Sequence, residues 1–427
     1  MTTLLFKDAR LMDPELHLDT PGDLLVADGL VEAVGQGLTA PEGARVVDCR
    51  GAVLAPGLVD LHVHFRDPGQ THKETLETGC RAAAAGGFTS VVTMANTKPA
   101  IDTPEAVRDC LERSKGLSCR VHPAAAVTVG LGGRELTDFQ ALARAGAVAF
   151  TDDGLTVGDG ALFFEAMTRA AALGLPISVH CEAPGFEGDR SMNRGDISAE
   201  LGLEGTPALA EELMIQRDLL LAEKSGAHVH IQHVSTALGV EMIAEAKALG
   251  THVTAEAAPH HMALDETAVL KYGTNAKMSP PLRTPEDVEA VCTGLMTGVL
   301  DVVATDHAPH TPEEKARGMA EAPNGVIGLE TSLAVCLEEL CHKRGFPLMA
   351  LLERMSAAPR HMFHLPPVHL RHGSVADLVL FDPERKRVVN ASKFQSKGRN
   401  CPFDGWRLRG AVLMTVLGGR EVYERDS

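Results

Sequence analysis

The chain has 427 residues, 44% of them hydrophobic, and a formal net charge of −17 at pH 7, which argues against nucleic acid or an anionic membrane as a partner, because both attract basic surfaces. Its nine cysteines include no Cys-x-x-Cys spacing, which favours a reducing compartment over a disulfide scaffold. The first residues lack the apolar core of a signal peptide and no apolar run approaches the roughly 20 residues that span a bilayer, so we expect a cytoplasmic protein.

In chain order, the first predicted elements are short strands. Residues 24–31 contain an Asp28-Gly29 pair between two apolar runs, which is the pattern of a β-hairpin. The other end of the chain is similar, because the residues from about 372 onward contain GSVADLVLFDP and GAVLMTVLGGREVY. Neither end is long enough to bury much surface alone. We therefore expect residues 1–51 and 366–427 to combine into one small β-sandwich domain.

The middle of the chain alternates apolar, β-branched runs with amphipathic segments that carry helix caps. The predicted helix starts are Thr103-Pro104, Thr206-Pro207 and Thr284-Pro285, with Gly116 and Gly226 ending the first two helices. The eight predicted strands are Leu58–Arg66, Ser90–Met94, Arg120–Val127, Val148–Thr151, Pro176–His180, His228–Val234, His252–Ala255 and Val299–Thr305. Eight such units over about 250 residues predict an α/β fold, a (β/α)₈ TIM barrel, at residues 52–365.

The first of these strands carries a pair of histidines. Because a strand repeats every two residues, the alternate residues from Asp60 to Arg66, including His62 and His64, project from one face. Two imidazoles on neighbouring positions of one face can bind one metal ion, and neutral imidazole is the commonest protein ligand of zinc. A lone His-x-His is more often a structural pair on a half-buried strand, so ligands further along the chain must decide.

Other metal-binding residue types follow the later strands, at the end where a parallel barrel has its active site. They are Asn96 after the second strand, Asp152 and Asp153 after the fourth, His180 on the fifth, His233 on the sixth and Asp306 after the eighth. Taken singly, each has an ordinary structural explanation, such as a turn or a hydrogen-bonded core residue. Together they predict one shared metal site. Strand alternation alone does not choose His233 over His228 or His230, nor Asp153 over Asp152.

The last strand end reads ATDHAPH and contains Asp306, His307 and His310. With this segment the chain resembles the cyclic amidohydrolases, specifically the dihydroorotases of the bacterial type that bridge their metals with an aspartate. The resemblance covers nearly the whole chain in the family's order, through GLVDLHVHFRDPG, TGCRAAAAGGFTSVVTMANTKP, FTDDG, SVHCE, HVST, TAEAAPHH and ATDHAPH. It implies a barrel of the metal-dependent hydrolase type.

For the metal site, the resemblance implies two Zn²⁺ ions per subunit. The implied ligands are His62, His64 and Asp306 for one zinc, His180 and His233 for the second, and Asp153 as the bridge. Asp306 is also the candidate catalytic residue, since it could accept the proton of the attacking water and deliver it to the leaving nitrogen. Relatives outside this subtype bridge the metals with a carbamylated lysine, but residues 145–160 contain no lysine.

For the substrate, the resemblance implies reversible hydrolysis of (S)-dihydroorotate to N-carbamoyl-L-aspartate, the third step of de novo pyrimidine biosynthesis. The residues expected to touch this small molecule are His64, Arg66, Asn96, Ser279, His310, Asn324 and Gly325. Within this set, Arg66, Asn96 and His310 are assigned to the carboxylate, and Gly325 to the ring through its backbone. From the residues alone, an Arg66 paired with Asp67 or Asp60 is an equally good interpretation.

The chain departs from the family pattern on one side of the expected pocket. Ser279 lies in KMSPPLR, where relatives have Asn, and Asn324 precedes Gly325, where relatives have Phe. A serine can still form a hydrogen bond, but its side chain is shorter. These changes affect the predicted ring contacts and leave the metal ligands intact.

Two other functions stay open. One is a different cyclic amidase, such as a hydantoinase or allantoinase, against which Arg66 and the missing bridging lysine both argue. The other is a non-catalytic dihydroorotase-like subunit that scaffolds aspartate carbamoyltransferase, which would be expected to have lost ligands that this chain retains. A purely structural zinc site fits poorly, because such sites are usually closed by four Cys or His ligands. The family also suggests a homodimer, with or without aspartate carbamoyltransferase.

Overall fold

The computed structural model describes residues 3–425, which contain two sheets surrounded by helices. The strands are β1 (Leu4–Asp13), β2 (Leu18–Ala27), β3 (Leu30–Gly35), β4 (Arg45–Asp48), β5 (Val53–Pro56), β6 (Leu58–Val63), β7 (Phe88–Thr93), β8 (Arg120–Ala125), β9 (Ala149–Phe150), β10 (Ile177–Val179), β11 (Val229–Ile231), β12 (Val253–Ala257), β13 (Val302–Val303), β14 (Leu378–Val388), β15 (Arg407–Leu417) and β16 (Arg420–Glu424).

The helices pack mainly around the strands of the middle of the chain. They are α1 (Leu76–Ala85), α2 (Pro104–Arg113), α3 (Phe139–Ala145), α4 (Gly160–Leu173), α5 (Asp196–Glu200), α6 (Leu209–Ser225), α7 (Ala237–Ala248), α8 (Pro259–Ala263), α9 (Ala268–Tyr272), α10 (Pro285–Thr297), α11 (Pro312–Lys315), α12 (Ser332–Cys336), α13 (Leu348–Leu352) and α14 (Ala358–Met362). Short 3₁₀ turns lie at Val129–Leu131, Gly273–Ala276 and Ala391–Lys393, and π-helical turns at Leu337–His342 and Glu353–Ala357. No helix within residues 3–425 is both long and apolar enough to cross a membrane.

The predicted barrel is confirmed. Strands β6 to β13 pair in chain order, and the pairs from β6 through β13 are parallel. A parallel bridge between Val63 and His307, with the His64 amide donating to the His307 carbonyl at 2.9 Å, joins the first strand to the segment after the last. All eight predicted strands are present, so the residues at their carboxyl ends converge on one mouth.

Several predicted boundaries are wrong by a few residues. The first barrel strand was expected to reach Arg66 but ends at Val63, because the chain turns over the barrel mouth and Arg66 itself has a φ of 56°. The helix expected from Thr206-Pro207 begins at Leu209, although it ends as predicted at Gly226 in the left-handed conformation. The eighth strand has only two residues, Val302 and Val303.

The two ends of the chain form one sheet, as predicted. Its order is β16-β15-β14-β5-β1-β2-β3, with β4 beside β1, and β14 from the C-terminal part pairs antiparallel with β5. The Asp28-Gly29 hairpin joins β2 to β3, and both turn residues have positive φ, as such a tight turn requires. Residues 53–56 belong to this sheet, and the domain limits at 51/52 and 365/366 stay predictions.

Candidate metal centre and substrate pocket

A cavity of about 230 Å³ opens at the carboxyl ends of the barrel strands. It is lined by His64, Arg66, Asn96, Asp153, Gly154, His180, Glu182, Arg190, His233, Ser279, Asp306, Ala308, His310, Asn324 and Gly325. Every residue predicted from the sequence to bind metal or substrate is in this lining except His62, which lies fully buried behind it. The structure therefore brings the predicted site residues together at one place.

One group of side chains that could hold a metal ion consists of His62, His64 and Asp153. The Nε2 atoms of both histidines lie 3.3 Å from the Asp153 carboxylate. Asp306 lies beside this group, with its Oδ1 3.0 Å from His64 Nε2 and 3.5 Å from His62 Nε2. All four side chains are buried, so a cation here would be surrounded by protein ligands.

A second group that could hold a metal shares Asp153 and adds His180 and His233. His180 Nδ1 lies 2.9 Å from His233 Nε2 and 3.9 Å from Asp153 Oδ1. His228 and His230, which the strand pattern could not separate from His233, are buried and do not belong to either group. Because Asp153 belongs to both groups, it occupies the position that a bridging ligand needs.

Two buried polar atoms in the first group fit an absent cation. His62 Nε2 and Asp153 Oδ1 have no hydrogen-bond partner among the described residues, although each is fully enclosed. An unsatisfied buried lone pair costs free energy, and pairing it with a cation removes that cost. Imidazole nitrogens and carboxylate oxygens in this number are ligands that zinc accepts. The residues therefore fit a metal centre of the predicted kind.

The charges of the cluster also favour a bound cation. Burial opposes a charged His62, but Asp153, Glu256 and Asp306 together raise its pKa well above the ordinary value. Burial likewise opposes the ionised form of Asp153, but His62, His64 and His180 hold the pKa of this carboxyl well below its usual range. The negative field that draws protons to His62 would equally stabilise a divalent cation.

Glu256 on β12 lies behind the cluster and contacts a residue of each of the two groups that could hold a metal. Its Oε1 lies 2.6 Å from His62 Nδ1 and accepts the backbone amide of His233 at 3.1 Å, and its Oε2 lies 3.0 Å from His230 Nε2. A hydrogen bond from His62 Nδ1 to this carboxylate leaves the Nε2 lone pair directed into the site. The amide contact also holds His233, whose φ of 32° is in the left-handed region.

The Arg66 side chain lines the cavity and has no anionic partner among the described residues. Asp67 pairs with Arg113 at 2.6 Å, and Asp60 accepts the backbone amides of His62 and Thr305, so neither pairs with Arg66. Within residues 3–425, Arg66 forms no ion pair and its buried Nε has no hydrogen-bond partner. The pairing of Arg66 with Asp67 or Asp60 is therefore wrong. Its guanidinium contacts His310 Nε2 at 3.3 Å and has no anionic partner among the described residues, so it can still bind a carboxylate.

Two other predicted substrate residues, Asn96 and Ser279, already form hydrogen bonds with neighbours, whereas Asn324 has a side-chain oxygen that is unpartnered within residues 3–425. Asn96 Oδ1 accepts a hydrogen bond from His64 Nδ1 at 3.0 Å, and Asn96 Nδ2 donates to the Asp153 backbone carbonyl and side chain, so Asn96 orients two metal-competent residues. Ser279 Oγ donates to Glu182 Oε1 at 3.3 Å. The side-chain oxygen of Asn324 has no hydrogen-bond partner among the described residues.

A glycine is needed at position 325 because a side chain would not fit there. Its backbone amide and carbonyl are both already hydrogen-bonded. Its amide donates to the Lys277 carbonyl, and its own carbonyl accepts from Lys315 and Asn400. A Cβ at this position would lie 2.6 Å from Ala308 Cβ, and φ is 125°. The expected backbone contact with a ring would therefore have to replace an existing hydrogen bond.

Comparisons with known proteins show the family to which the chain belongs. Residues 51–238 match the family model described as "Dihydro-orotase-like". The chain is 45% identical to "Dihydroorotase" of Clostridioides difficile (strain 630) over 98% of this chain and 99% of that protein, and 45% identical to "Dihydroorotase" of Pelobacter propionicus over 99% and 100%. The chain belongs to the dihydroorotase family. Dihydroorotases are hydrolases that act on cyclic amides, so the family expected from the motifs is confirmed.

Solved structures extend the comparison beyond the dihydroorotase family. "L-Hydantoinase (Dihydropyrimidinase) from Arthrobacter aurescens" superposes with a TM-score of 0.89 at 28% identity, covering 100% of this chain and 97% of that one. A dihydropyrimidinase from Brevibacillus agri superposes with a TM-score of 0.86 at 24% identity, covering 99% and 95%, which shows a shared fold. The barrel with an appended sheet is therefore common to several cyclic amidases.

The sequence of this dihydroorotase-family chain did not predict three residues that line the cavity or support its metal-competent side chains. Glu182 lines the cavity and pairs with Arg190 at 2.9 Å, and Glu256 orients His62. Glu182 follows His180 by two residues in SVHCE and Glu256 lies on a strand in TAEAAPHH, so strand position could have suggested both. Arg190 lies in an irregular loop between β10 and α5, where no periodic pattern marks it.

Proposed function

We propose that the protein is a zinc-dependent dihydroorotase that interconverts (S)-dihydroorotate and N-carbamoyl-L-aspartate in de novo pyrimidine biosynthesis. The observation that carries this proposal is the guanidinium of Arg66, which has no anionic partner among the described residues, in the same cavity as the two metal-competent groups. A cyclic amide that bears a carboxylate can place the carboxylate on Arg66 and its ring carbonyl toward the histidines and aspartates. The 45% identity to proteins named dihydroorotase supports the same substrate.

We assign two zinc ions per subunit. His62, His64 and Asp306 would hold one, His180 and His233 the other, and Asp153 would bridge them. The two unpartnered atoms, His62 Nε2 and Asp153 Oδ1, support this assignment. A bound zinc ion lowers the pKa of a coordinated water to about 7 and polarises a carbonyl as a Lewis acid.

Asp306 is proposed to move the proton. Burial opposes its ionised form, but His62, His64 and His233 lower the pKa of Asp306 below its ordinary value, so the carboxylate is present as a base. It would accept the proton of the attacking water and deliver it to the ring nitrogen that leaves. In the reverse direction the same carboxylate would take the proton from the nitrogen that closes the ring.

The substrate would be held by both walls of the cavity. We assign its carboxylate to Arg66, Asn96 and His310, and its ring to Ser279, Asn324 and the wall formed by Gly325, with His64 near the reacting amide. The unpartnered oxygen of Asn324 supports a contact with a ring N–H group. A homodimer, an association with aspartate carbamoyltransferase and a cytoplasmic location stay predictions from the family resemblance.

The proposal is tested by offering three rings to the purified, zinc-loaded protein. Dihydroorotate, hydantoin and allantoin are incubated separately, and ring opening is followed for each. We expect dihydroorotate to have the largest kcat/KM, because hydantoin and allantoin have no carboxylate for Arg66. Faster opening of hydantoin or allantoin would move the protein to another cyclic amidase. Absence of bound zinc and of any ring opening after zinc addition would favour the non-catalytic subunit.

A further inference from the structure

His310 lies between two cations at the edge of the cavity. Its Nδ1 is 3.3 Å from Lys73 Nζ, and its Nε2 is 2.8 Å from the carbonyl oxygen of Asn324 and 3.3 Å from Arg66 Nη2. Lysine and arginine only donate hydrogen bonds, whereas a backbone carbonyl only accepts them. These fixed roles determine which ring nitrogen of His310 carries the proton.

The Asn324 carbonyl is the nearest neighbour and requires an N–H on Nε2. The lone pair is then on Nδ1, where Lys73 donates to it. The opposite tautomer would direct an N–H at Lys73, and its nearest acceptor, Glu314 Oε2, would be 3.6 Å away. A doubly protonated ring would add a third positive charge between Arg66 and Lys73.

The charged groups around His310 support a neutral ring. Burial, followed by Arg66, Lys73 and Lys315, lowers the pKa of His310 to about 2, and Glu314 is the facing anion. Glu314 is itself held at the start of α11, where it accepts the Thr311 amide. This network favours a neutral His310 ring.

Lys73 is fixed in place rather than free to move. Its side chain is 9% exposed, and its Nζ lies 3.0 Å from Glu314 Oε1 in addition to the contact with His310. A buried lysine that donates to two acceptors, one charged carboxylate and one neutral imidazole lone pair, has a defined donor geometry. Lys73 can therefore impose one tautomer on His310.

This tautomer has a consequence for Arg66. If Nε2 carries a proton, it offers no lone pair to Arg66 Nη2, and the 3.3 Å contact is not a hydrogen bond. The guanidinium then keeps its donors for a ligand. The Nε2–H of His310 lies beside Arg66 in the cavity wall and is donated to the Asn324 carbonyl, so a carboxylate bound to Arg66 would have to share or replace this hydrogen bond.

We propose that Lys73 is a positioning residue that holds His310 in the neutral Nε2–H form, so that Arg66 keeps its donors for the substrate carboxylate and His310 can share with it the hydrogen now donated to the Asn324 carbonyl. The proposal rests on the proposed function for the identity of the ligand. Lys73 itself does not touch the substrate. The tautomer, in contrast, is a property of the protein without substrate.

The kinetic test compares Lys73→Met with Lys98→Met in the zinc-loaded protein. Lys98 is exposed, so its replacement removes the same charge without a contact to His310. We expect Lys73→Met to raise KM for dihydroorotate by about 10-fold to 100-fold, the range expected for a lost hydrogen bond to a charged group. We expect kcat to change by less than about threefold, since the reacting amide is untouched. Lys98→Met should change neither, and Lys73→Arg should restore part of the affinity.

The structural test is ¹⁵N NMR of histidine-labelled protein without substrate, with the His310 signal assigned from His310→Gln. We expect the pattern of a neutral ring protonated on Nε2, and a loss of that pattern in Lys73→Met. A His310 protonated on Nδ1 in the unmodified protein would overturn the proposal even if Lys73→Met fails to fold. Equal KM values for Lys73→Met and Lys98→Met would also overturn it. If no ring is opened at all, the proposed function fails and the NMR result still decides the role of Lys73.

Discussion

The strand-end side of the pocket and its loop side are built differently. The strand-end side comprises His62, His64, Asp153, His180, His233 and Asp306, all buried and all placed directly after or at the end of parallel strands. The loop side comprises Glu182, Arg190, Ser279, Asn324 and Gly325, which lie in irregular segments. Only the loop side departs from the family motif, at Ser279 and Asn324.

On the proposed function, this difference would separate the residues of the chemistry from those that select the substrate. A barrel strand fixes the residue at its end through the sheet, so the strand-end side can hold metal ligands at distances of about 3 to 4 Å from one another. Arg190 on the loop side has a side chain that is 43% exposed and is held mainly by its contact with Glu182. Such a side tolerates substitution and can adjust the ring contacts without disturbing the ligands.

The largest effect should come from Asp306→Asn on the strand-end side. We expect kcat to fall by about 10² to 10⁴, the usual contribution of a positioned acid or base, while most of the zinc is retained. The measurement is single-substrate kinetics together with metal analysis. Asp301→Asn is the matched control, because Asp301 precedes the same strand and pairs with Lys247 at the opposite end of the barrel. A near-normal rate for Asp306→Asn would remove Asp306 from the mechanism.

Glu256→Gln tests whether the strand-end side works as one unit. The amide cannot accept from His62, His230 and the His233 backbone together, so we expect zinc affinity to fall by about 10-fold to 100-fold. Chelator competition measures this without any assay of activity. Asp23→Asn is the control, since Asp23 is a buried carboxylate with several donors in the sheet of the chain ends. Unchanged zinc affinity in Glu256→Gln would show that Glu256 does not couple the two groups.

Arg66→Lys tests the boundary between the two sides. A lysine keeps the charge but loses the planar fork, so we expect KM for dihydroorotate to rise by about tenfold with zinc content unchanged. The control is Arg113→Lys, because Arg113 pairs with Asp67 outside the cavity. An unchanged KM would assign the carboxylate to another residue.

The smallest effect should come from restoring a family residue on the loop side. Ser279→Asn lengthens the side chain, and we expect KM to fall by about fivefold or less, since one hydrogen bond contributes about 1 kcal/mol. Steady-state kinetics with dihydroorotate measure it. A large loss of kcat or of zinc would contradict the division of the pocket, because it would place the loop side within the chemistry.

The strand-end side was predictable from the sequence because two rules act on it together. Alternating apolar runs and helix caps predict the barrel, and the barrel places the residue after each strand at one mouth. The choice among neighbours needed the family motif. His233 has a φ of 32° and Asp306 a φ of 47°, so a simple alternation of faces does not describe where their side chains project.

The loop side and the supporting contacts were not predictable in the same way. Arg190 reaches the cavity only because its loop folds back onto Glu182. Lys73 contacts His310 across 237 positions of the chain, and Asn400 contacts the Gly325 carbonyl across 75. No local pattern encodes such contacts, since they depend on how separate loops pack above the barrel.

The most direct test of the account is a crystal structure of the zinc-loaded protein with dihydroorotate bound. We predict metal ions among His62, His64, Asp153, His180, His233 and Asp306, with the substrate carboxylate on Arg66 and His310 and the ring against Ser279 and Asn324. The account would be contradicted if the carboxylate lay away from Arg66, or if the metal ions were bound by residues other than those of the strand-end side.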